Sequence, residues 1–275
     1  MKKLILLFVI AAFMFSCRSQ SLIQPGDSLE VAYEKAYSLF EEEKWSDAAS
    51  AFETVISIGR GTEFGRDAQF YLAESYFNNR RYMLAASEYE RYSSNHPNSE
   101  RRQEVDFKAA TSYYQMSPRF NIDQTNTHRA IERFNLFLAR YPNSEMADEA
   151  GDKIAELRNK LARKNYEAAE FYMRTNRYNA AAVYHDIILD RYPDSDYAER
   201  ALYRQIDAYI RYAENSVTAR QEERFEKAVD SYETYVQLFP RGENREQAEQ
   251  LYERAMRALY NIRGDEEETF TATGS

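Results

Sequence analysis

The chain has 275 residues and a formal net charge of −9. Only 8 residues are glycine and 6 are proline, while 23 are tyrosine and 16 are phenylalanine. Helix breakers are therefore scarce, which favours helix throughout the chain. No alternating β-branched run occurs, which argues against a sheet. The acidic balance argues against nucleic acid as the main partner, and a single cysteine excludes a disulfide framework and a thiolate zinc cluster.

The chain begins with a pattern typical of an exported protein. Two lysines precede an apolar run at residues 4–15, which is too short to span a membrane but fits the apolar part of a signal peptide. The run ends at Ser16 and Cys17, an arrangement that resembles a bacterial lipobox. The alternative is an ordinary secretory signal followed by an incidental cysteine.

These features predict how the start of the chain is divided. We expect a lipoprotein signal peptide at residues 1–16, followed by a lipidated Cys17 and a flexible tether at residues 17–28. The tether is expected because this segment is polar and contains Pro-Gly. Two or more acyl chains on one cysteine anchor a protein without a spanning helix, and no acidic run follows Cys17. We therefore expect an outer-membrane protein, lipid-anchored, with its body on the periplasmic face.

A pattern of alanine, aromatic residue, apolar residue and proline recurs along the rest of the chain. In one clear copy, Ala130, Phe134 and Phe137 fall at i, i+4 and i+7 and share one helix face. Pro142 then ends the helix, because proline lacks the amide that continuation needs. Further copies end at Pro97, Pro193 and Pro240, and a first copy, with Ala48 and Phe52, ends instead at Gly59, Arg60 and Gly61. The chain is therefore a repeat array.

Each copy is expected to be the second helix of a helix pair, since a small residue and an aromatic also recur upstream, as in Ala73 with Tyr76. This is the tetratricopeptide pattern, in which one pair cannot bury its apolar face alone and stability comes from stacking. We predict an all-α fold, a right-handed superhelical solenoid of about five tetratricopeptide helix pairs plus a C-terminal capping helix, over residues 29–262. Residues 263–275 are expected to be a disordered tail.

Three departures from the regular repeat stand out. The third pair carries an insertion at about residues 117–126, and the fifth pair has a similar extension. From Met146 to Arg174 the only breaker is Gly151, so one long helix is expected to run into the fourth pair.

No catalytic or metal-binding constellation is evident. The histidines, His96, His128 and His185, are scattered without ligand spacing or a nearby thiol. No glycine-rich phosphate loop and no nucleophile motif occurs. We therefore expect a protein that is not an enzyme, with no catalytic residues, no metal site and no cofactor beyond the covalent lipid on Cys17.

Without a catalytic or metal site, the remaining candidates for a functional site are binding surfaces. In a tetratricopeptide stack the first helix of each pair lines a concave groove, and aromatic side chains there suit an extended apolar peptide. The predicted groove residues are Tyr33, Tyr37, Phe40, Phe70, Phe77, Phe107 and Tyr114. The alternative is that half of these residues pack against the next repeat or under the tether.

The corresponding positions of the fourth and fifth pairs are basic instead. They hold Arg163, Arg174, Arg200 and Arg211. A partner protein with an acidic surface would be steered to such a region. The alternative is that these are ordinary solvated arginines.

Two segments carry a family resemblance. The segment from Phe120 to Asp148 holds the insertion, an Asp-Gln-Thr helix start and a Tyr-Pro-Asn-Ser end, in the order of the BamD (YfiO) family of outer-membrane assembly lipoproteins. The segment from Asp190 to Leu202 also resembles that family, and the likeness covers about residues 29–260.

The resemblance implies a non-catalytic subunit of the β-barrel assembly machinery, which assists folding and insertion of β-barrel proteins into the outer membrane. It implies that the N-terminal repeats receive unfolded outer-membrane protein precursors and that the C-terminal repeats dock on a BamA-type barrel insertase. Combined with the residue pattern, it predicts that the groove aromatics bind an aromatic-rich precursor end. It also predicts that Arg200, in the first turn of its helix, contacts the insertase.

Three alternatives remain. One is a tetratricopeptide scaffold lipoprotein of another envelope complex, serving wall synthesis or division. Another is an enzyme that uses the helical array only as a scaffold, although no nucleophile–base pair or metal constellation supports it. The last is a carbohydrate-binding lipoprotein of a nutrient-uptake system, which usually carries large insertions that 275 residues leave no room for.

Overall fold

The computed structural model describes residues 22–273, with side chains through Gly264. Within that range the protein is all-α, as the sequence predicts. The first six helices are α1 (Leu29–Glu41), α2 (Trp45–Ile58), α3 (Glu63–Asn78), α4 (Tyr82–Asn95), α5 (Arg102–Gln115) and α6 (Thr125–Arg140). The others are α7 (Ala147–Arg174), α8 (Tyr178–Arg191), α9 (Ala198–Glu214), α10 (Gln221–Leu238) and α11 (Arg245–Thr273), with a short 3-10 helix (Thr218–Arg220) before α10.

The helices begin and end for local reasons that the sequence shows. Four of the second helices end two residues before a proline, at Pro97, Pro142, Pro193 and Pro240. The side chains of Ser28 and Thr62 accept hydrogen bonds from first-turn amides of α1 and α3, at 3.3 and 3.1 Å. The long helix α7 spans 28 residues, as the lack of breakers predicts.

The turn within a pair has a recurring backbone geometry. Glu43, Arg80 and Asn176 each adopt a left-handed conformation, with φ of 57°, 58° and 58°. The residue after each of them donates its amide to a carbonyl five positions back, as Lys44 does to Leu39 at 3.0 Å. This is the Schellman type of helix ending, which satisfies carbonyls that the helix leaves unpaired. None of the three left-handed residues is a glycine, so the positions of glycines in the sequence do not reveal these turns.

Small residues allow the paired helices to approach closely, as the repeat pattern predicts. The alanines that recur at the repeat spacing are fully buried: Ala36, Ala48, Ala73, Ala85, Ala110, Ala130, Ala169, Ala181 and Ala228 are all 0% exposed. Large side chains fill the remaining space, among them Phe52, Tyr89 and Phe134, which are also 0% exposed. This combination of alanine contacts and buried rings is how the tetratricopeptide-type pairs pack.

The chain forms two compact units. Of the described residues, the first unit contains 22–116 together with 132–144, and the second contains 117–131 and 145–273. In the first unit each of α1 to α5 packs on its neighbours in sequence, and α1 also packs on α3. In the second unit α7 to α11 pack in the same way, with further contacts between α7 and α9 and between α9 and α11. Stacking of near neighbours is what a repeat array requires.

The insertion in the third pair is an ordered loop of the second unit. Gln124 is buried, and its Nε2 donates to the carbonyls of Arg119 and Ile122 at 2.8 and 2.9 Å. Lys164 on α7 donates to the same Ile122 carbonyl at 2.8 Å. The loop is therefore held both by its own side chain and by α7.

The structure describes part of the predicted tether and part of the predicted tail. The described part of the tether, from Leu22, is packed against α1, because Ile23 joins the core of the first unit and Asp27 pairs with Lys35 at 2.7 Å. At the other end the backbone of α11 continues past residue 262 to Thr273, so the predicted tail begins inside a helix. The signal peptide and Cys17 lie outside the described residues, and the predicted segment boundaries stay predictions.

Candidate protein-binding surfaces

Three of the predicted groove aromatics line up on α1. Tyr33, Tyr37 and Phe40 are all half-buried. Tyr37 stacks on both of the others, with ring centroids 6.2 Å apart in each pair. They follow one another at helical spacing, so the rings form a continuous row along one face of the helix.

Tyr71 on α3 completes this row, and the sequence reasoning missed it. Its ring lies edge-on to Tyr37 at 5.0 Å and to Phe40 at 5.1 Å. Tyr71 directly follows Phe70, a predicted groove residue, but adjacent residues on a helix do not share a face, so helical spacing alone did not mark it. The four half-buried rings are called the aromatic surface below: Tyr33, Tyr37, Phe40 and Tyr71.

Two of the predicted groove residues are interior instead. Phe70 is 7% exposed and Phe107 is 8% exposed. Phe70 is covered by the guanidinium of Arg101, 4.5 Å above its ring, and Phe107 packs between Phe134 and Phe137 at 5.7 and 5.3 Å. Their rings fill space between repeats, as the alternative reading of these positions anticipated, and leave little area for a ligand.

Phe77 and Tyr114 remain partly exposed to solvent. Phe77 lies 5.4 Å from Tyr82 at the turn of its pair, and Tyr114 lies 6.5 Å from Phe134. Both are half-buried. Among the described ring pairs, neither contacts the aromatic surface, so these residues do not extend it.

The aromatic surface combines apolar rings with neutral hydroxyl groups. Burial, followed by the neighbouring Tyr71 and Asp67, raises the pKa of Tyr33 to about 12. Burial is also the main reason why the pKa of Tyr71 is raised. Both phenols therefore stay protonated near neutral pH and can donate hydrogen bonds. Such a surface can bury an aromatic side chain of a peptide and bond to its backbone carbonyls.

The predicted basic positions fall into two pairs in the second unit. Arg163 on α7 and Arg200 on α9 are exposed, and each lies over an aromatic ring. The guanidinium of Arg163 is 4.3 Å from the centre of Phe120, and that of Arg200 is 5.2 Å from the centre of Tyr166. Rings that hold the guanidinium groups in place reduce the entropy lost when a partner binds them.

A cavity of about 520 Å³ adjoins Arg163. It lies between the third-pair insertion, α7 and the start of α9, and its lining includes Phe120, Lys160, Arg163 and Tyr197. Tyr197 in turn lies 5.4 Å from Tyr166, the ring under Arg200. The two arginines thus belong to one surface, which we call the basic surface: Lys160, Arg163, Tyr166, Tyr197 and Arg200.

Arg174 and Arg211 stand 11 residues further along α7 and α9, a rise of about 16 Å. Arg211 is held by Asp207, at 2.9 Å. Asp207 is 5% exposed and also pairs with Arg204, at 3.2 Å, which in turn pairs with Glu170. Arg211 is therefore the exposed end of an ion-pair network whose centre, Asp207, is buried, and it offers less charge to a partner than Arg200 does.

Within the described residues, no three His, Cys, Asp or Glu side chains are grouped so that they could hold a metal ion. No helix in that part of the chain is both long enough and apolar enough to cross a membrane.

Comparison with known proteins gives consistent results. The family model described as YfiO, outer membrane lipoprotein, matches residues 25–225. The chain is 26% identical to the outer membrane protein assembly factor BamD of Vibrio cholerae, over 72% of this chain and 86% of that protein. It is 22% identical to BamD of Caulobacter vibrioides, over 77% and 71%, and 25% identical to BamD of Rickettsia prowazekii, over 76% and 84%. The matched region contains both the aromatic and the basic surface.

Proposed function

Because the chain belongs to the YfiO family of outer membrane lipoproteins, we propose that it is a non-catalytic subunit of the machinery that assembles β-barrel proteins in the outer membrane. Its relatives are named outer membrane protein assembly factors, and that name describes an accessory role at this membrane. The observation that carries the proposal to this chain is the pair of open surfaces, one aromatic and one basic, in an all-α repeat fold. Surfaces of this kind serve to hold other polypeptides.

The aromatic surface is the site proposed for unfolded precursors. A strand of an outer-membrane barrel alternates apolar with polar side chains and carries aromatic residues near its ends. Rings that are already ordered bind such apolar and aromatic side chains at a low entropy cost. The support is the row of four rings over the buried Phe52, which holds Tyr71 at 5.7 Å. A preformed row of this kind favours an extended segment over a folded domain.

We expect a variant that lacks two of these rings to lose precursor binding. In Tyr37→Ala/Tyr71→Ala, a photo-crosslinking peptide that matches the aromatic end of a barrel precursor should bind about tenfold more weakly or worse, since each ring contributes about 0.5–1.5 kcal/mol beyond its area. In the unaltered protein, mass spectrometry should find the label on α1 and α3.

Tyr260→Ala is the matched control, because Tyr260 lies in the second unit and is 81% exposed. It should bind the peptide as the unaltered protein does. Labelling confined to the fifth pair, or equal loss in both variants, would contradict the assignment of the aromatic surface.

The basic surface is the site proposed for the barrel insertase. Arg200→Glu reverses the charge over Tyr166 and places it against an acidic partner surface, where like charges repel. We expect co-purification of the insertase from solubilised outer membrane to fall by about tenfold or more. Arg177→Glu, at an exposed arginine elsewhere in the second unit, is the control.

Full recovery of the insertase with Arg200→Glu would rule out this docking site. Failure of even the unaltered chain to recover a barrel insertase would favour a scaffold of another envelope complex, which shares the anchor and the repeats but not this partner.

We further propose that Cys17 carries the lipid anchor, that the anchor holds the protein on the periplasmic face of the outer membrane, and that no cofactor besides this lipid is needed. The supporting observation is the signal-peptide pattern that ends at Cys17. Metabolic labelling with palmitate should mark the full chain and leave Cys17→Ser unlabelled; equal labelling of both would exclude Cys17 as the site.

A further inference from the structure

The end of the first pair differs from the other pairs. The second helices of the other pairs are followed by a proline, whereas α2 is followed by Gly59, Arg60 and Gly61. Gly61 has a φ of +81°, which L side chains rarely adopt, and a Cβ on Gly65 would lie 2.1 Å from the carbonyl oxygen of Gly59. The loop therefore crosses the first turn of α3 at a distance that only glycine permits.

A cavity of about 540 Å³ opens at this crossing. It is called the α3 cavity, and its lining includes Arg60, Thr62, Glu63, Arg66, Gln69 and Arg91. Three guanidinium groups thus face one space against a single carboxylate. The N-terminus of α3, a helix of 16 residues, adds the positive end of its dipole.

The charges of the cavity are only partly neutralised by the protein itself. Arg66 pairs with Glu63 at 2.9 Å and with Asp67 at 3.8 Å, and Arg91 pairs with Glu88 on its own helix. Arg60, in the glycine loop, is exposed. Surface pairs of this kind are weak and exchange readily, so an anion with several oxygens can bind these guanidinium groups.

The side chain of Gln69 is an independent indication that a ligand binds in the α3 cavity. Its side chain is 5% exposed, and its Oε1 lies 3.2 Å from Nε2 of His96, which donates to it. Its Nε2 has no hydrogen-bond partner anywhere in residues 22–264. An unpaired buried amide costs about 1–3 kcal/mol, so an acceptor is expected on this side of Gln69.

His96 reports the electrostatic potential at the same place. Its pKa is lowered, mainly by burial and then by the positive charge of Arg66. The potential in the cavity therefore favours negative charge.

We propose that the α3 cavity binds a phosphate group, held by Arg60, Arg66 and Arg91 with the amide of Gln69. Three guanidinium groups match the charge and the oxygens of a phosphate monoester better than those of a single carboxylate. A glycine-rich turn that leads into a helix N-terminus is also a geometry that suits phosphate. The phosphate could belong to a lipid headgroup or to a free solute. The site shares no residue with the aromatic or the basic surface, so the proposal does not depend on the function assigned above.

The test uses the full chain in a non-ionic detergent, with its histidines labelled at ¹³Cε1 for NMR. Inorganic phosphate, added at constant ionic strength, should shift the His96 resonance in a saturable way and raise its titration midpoint. His128 and His185 should not move, and they serve as internal references. The variant Arg60→Gln/Arg91→Gln should weaken phosphate binding by tenfold or more, while Glu63→Gln should strengthen it a few-fold.

Arg177→Gln, at an exposed arginine in the second unit, is the matched control and should bind phosphate normally. A short-chain phosphatidic acid, below its micelle concentration, then identifies the source: tighter binding than inorganic phosphate indicates a lipid headgroup, and equal binding indicates a free phosphate. The proposal is overturned if His96 does not respond, if chloride shifts it equally, or if the double arginine variant binds phosphate as the unaltered protein does.

Discussion

Replacing Phe52 by alanine is expected to lower the free energy of unfolding of the first unit by about 3–5 kcal/mol. Phe52 is 0% exposed, and its ring contacts Tyr33, Phe40 and Tyr71 at 6.2, 6.4 and 5.7 Å. Removing it deletes buried apolar area and leaves a void that the helices cannot collapse into without moving the aromatic surface. Urea unfolding gives the stability change, and hydrogen exchange measured by mass spectrometry locates it.

Exchange is informative here because a repeat array does not unfold as a single unit. Faster exchange should appear in α1 to α3 of Phe52→Ala, with little change in α9 to α11. Phe171→Ala is the matched control, because Phe171 on α7 is 52% exposed and its loss should change stability by less than about 0.5 kcal/mol. Equal destabilisation by both substitutions would mean that the buried ring is not what holds the first unit together.

Acid is expected to destabilise the second unit through His185. This side chain is 0% exposed, and neither ring nitrogen has a partner among the groups that the structure describes. Burial, followed by the charge of Arg204, lowers its pKa to about 3. Tyr166, 5.8 Å away, carries Arg200 of the basic surface on its ring. The histidine therefore lies directly beneath the proposed insertase site.

The direction in which stability changes with pH follows from whether the folded or the unfolded chain binds the proton. Between pH 6.5 and about 3 the unfolded chain binds a proton at His185 and the folded chain does not. Stability is therefore fully present above pH 6.5 and falls as the pH is lowered through that window, by about 1.4 kcal/mol per pH unit.

His185→Leu should remove this component of the pH dependence. From pH 6.5 to 4.5 it should lose about 2.3 kcal/mol less stability than the unaltered protein in urea titrations, since half of the unfolded chains already carry the proton at pH 6.5. At pH 7 it should be neutral or slightly stabilising, since two unpaired buried nitrogens are replaced by an apolar side chain. His128→Leu, at an exposed histidine, should keep the original pH profile. Parallel stability curves for His185→Leu and the unaltered protein would contradict the prediction.

The sequence predicts some residues of the aromatic surface correctly but not all of them. The helical spacing that put Tyr33, Tyr37 and Phe40 in one row depends only on the geometry of α1, so the sequence sufficed for them. Phe70 and Phe107 occupy equivalent positions, but whether such a ring stays open depends on what the next pair places over it. In this chain Arg101 covers Phe70, and α6 covers Phe107. Tyr71 was missed for the complementary reason, since it becomes part of the surface only where α3 meets α1.

The amino-acid sequence alone determines the repeat and its helices. Alanine spacing, aromatic periodicity and the prolines after the second helices act within a few residues of each other, so local rules suffice to place α1 to α10 and the loop in the third pair. Membership in the family is likewise legible in motifs that are continuous along the chain, such as the segment from Phe120 to Asp148.

Only the tertiary structure decides which side chains remain available. It pairs Arg204 of α9 with Glu170 of α7, buries His185 with no hydrogen-bond partner among the described residues, and brings Arg60, Arg66 and Arg91 to one cavity. The physical reason is that exposure and charge pairing are set by neighbours from other helices, and nothing in the local spacing of a residue records which neighbour will arrive.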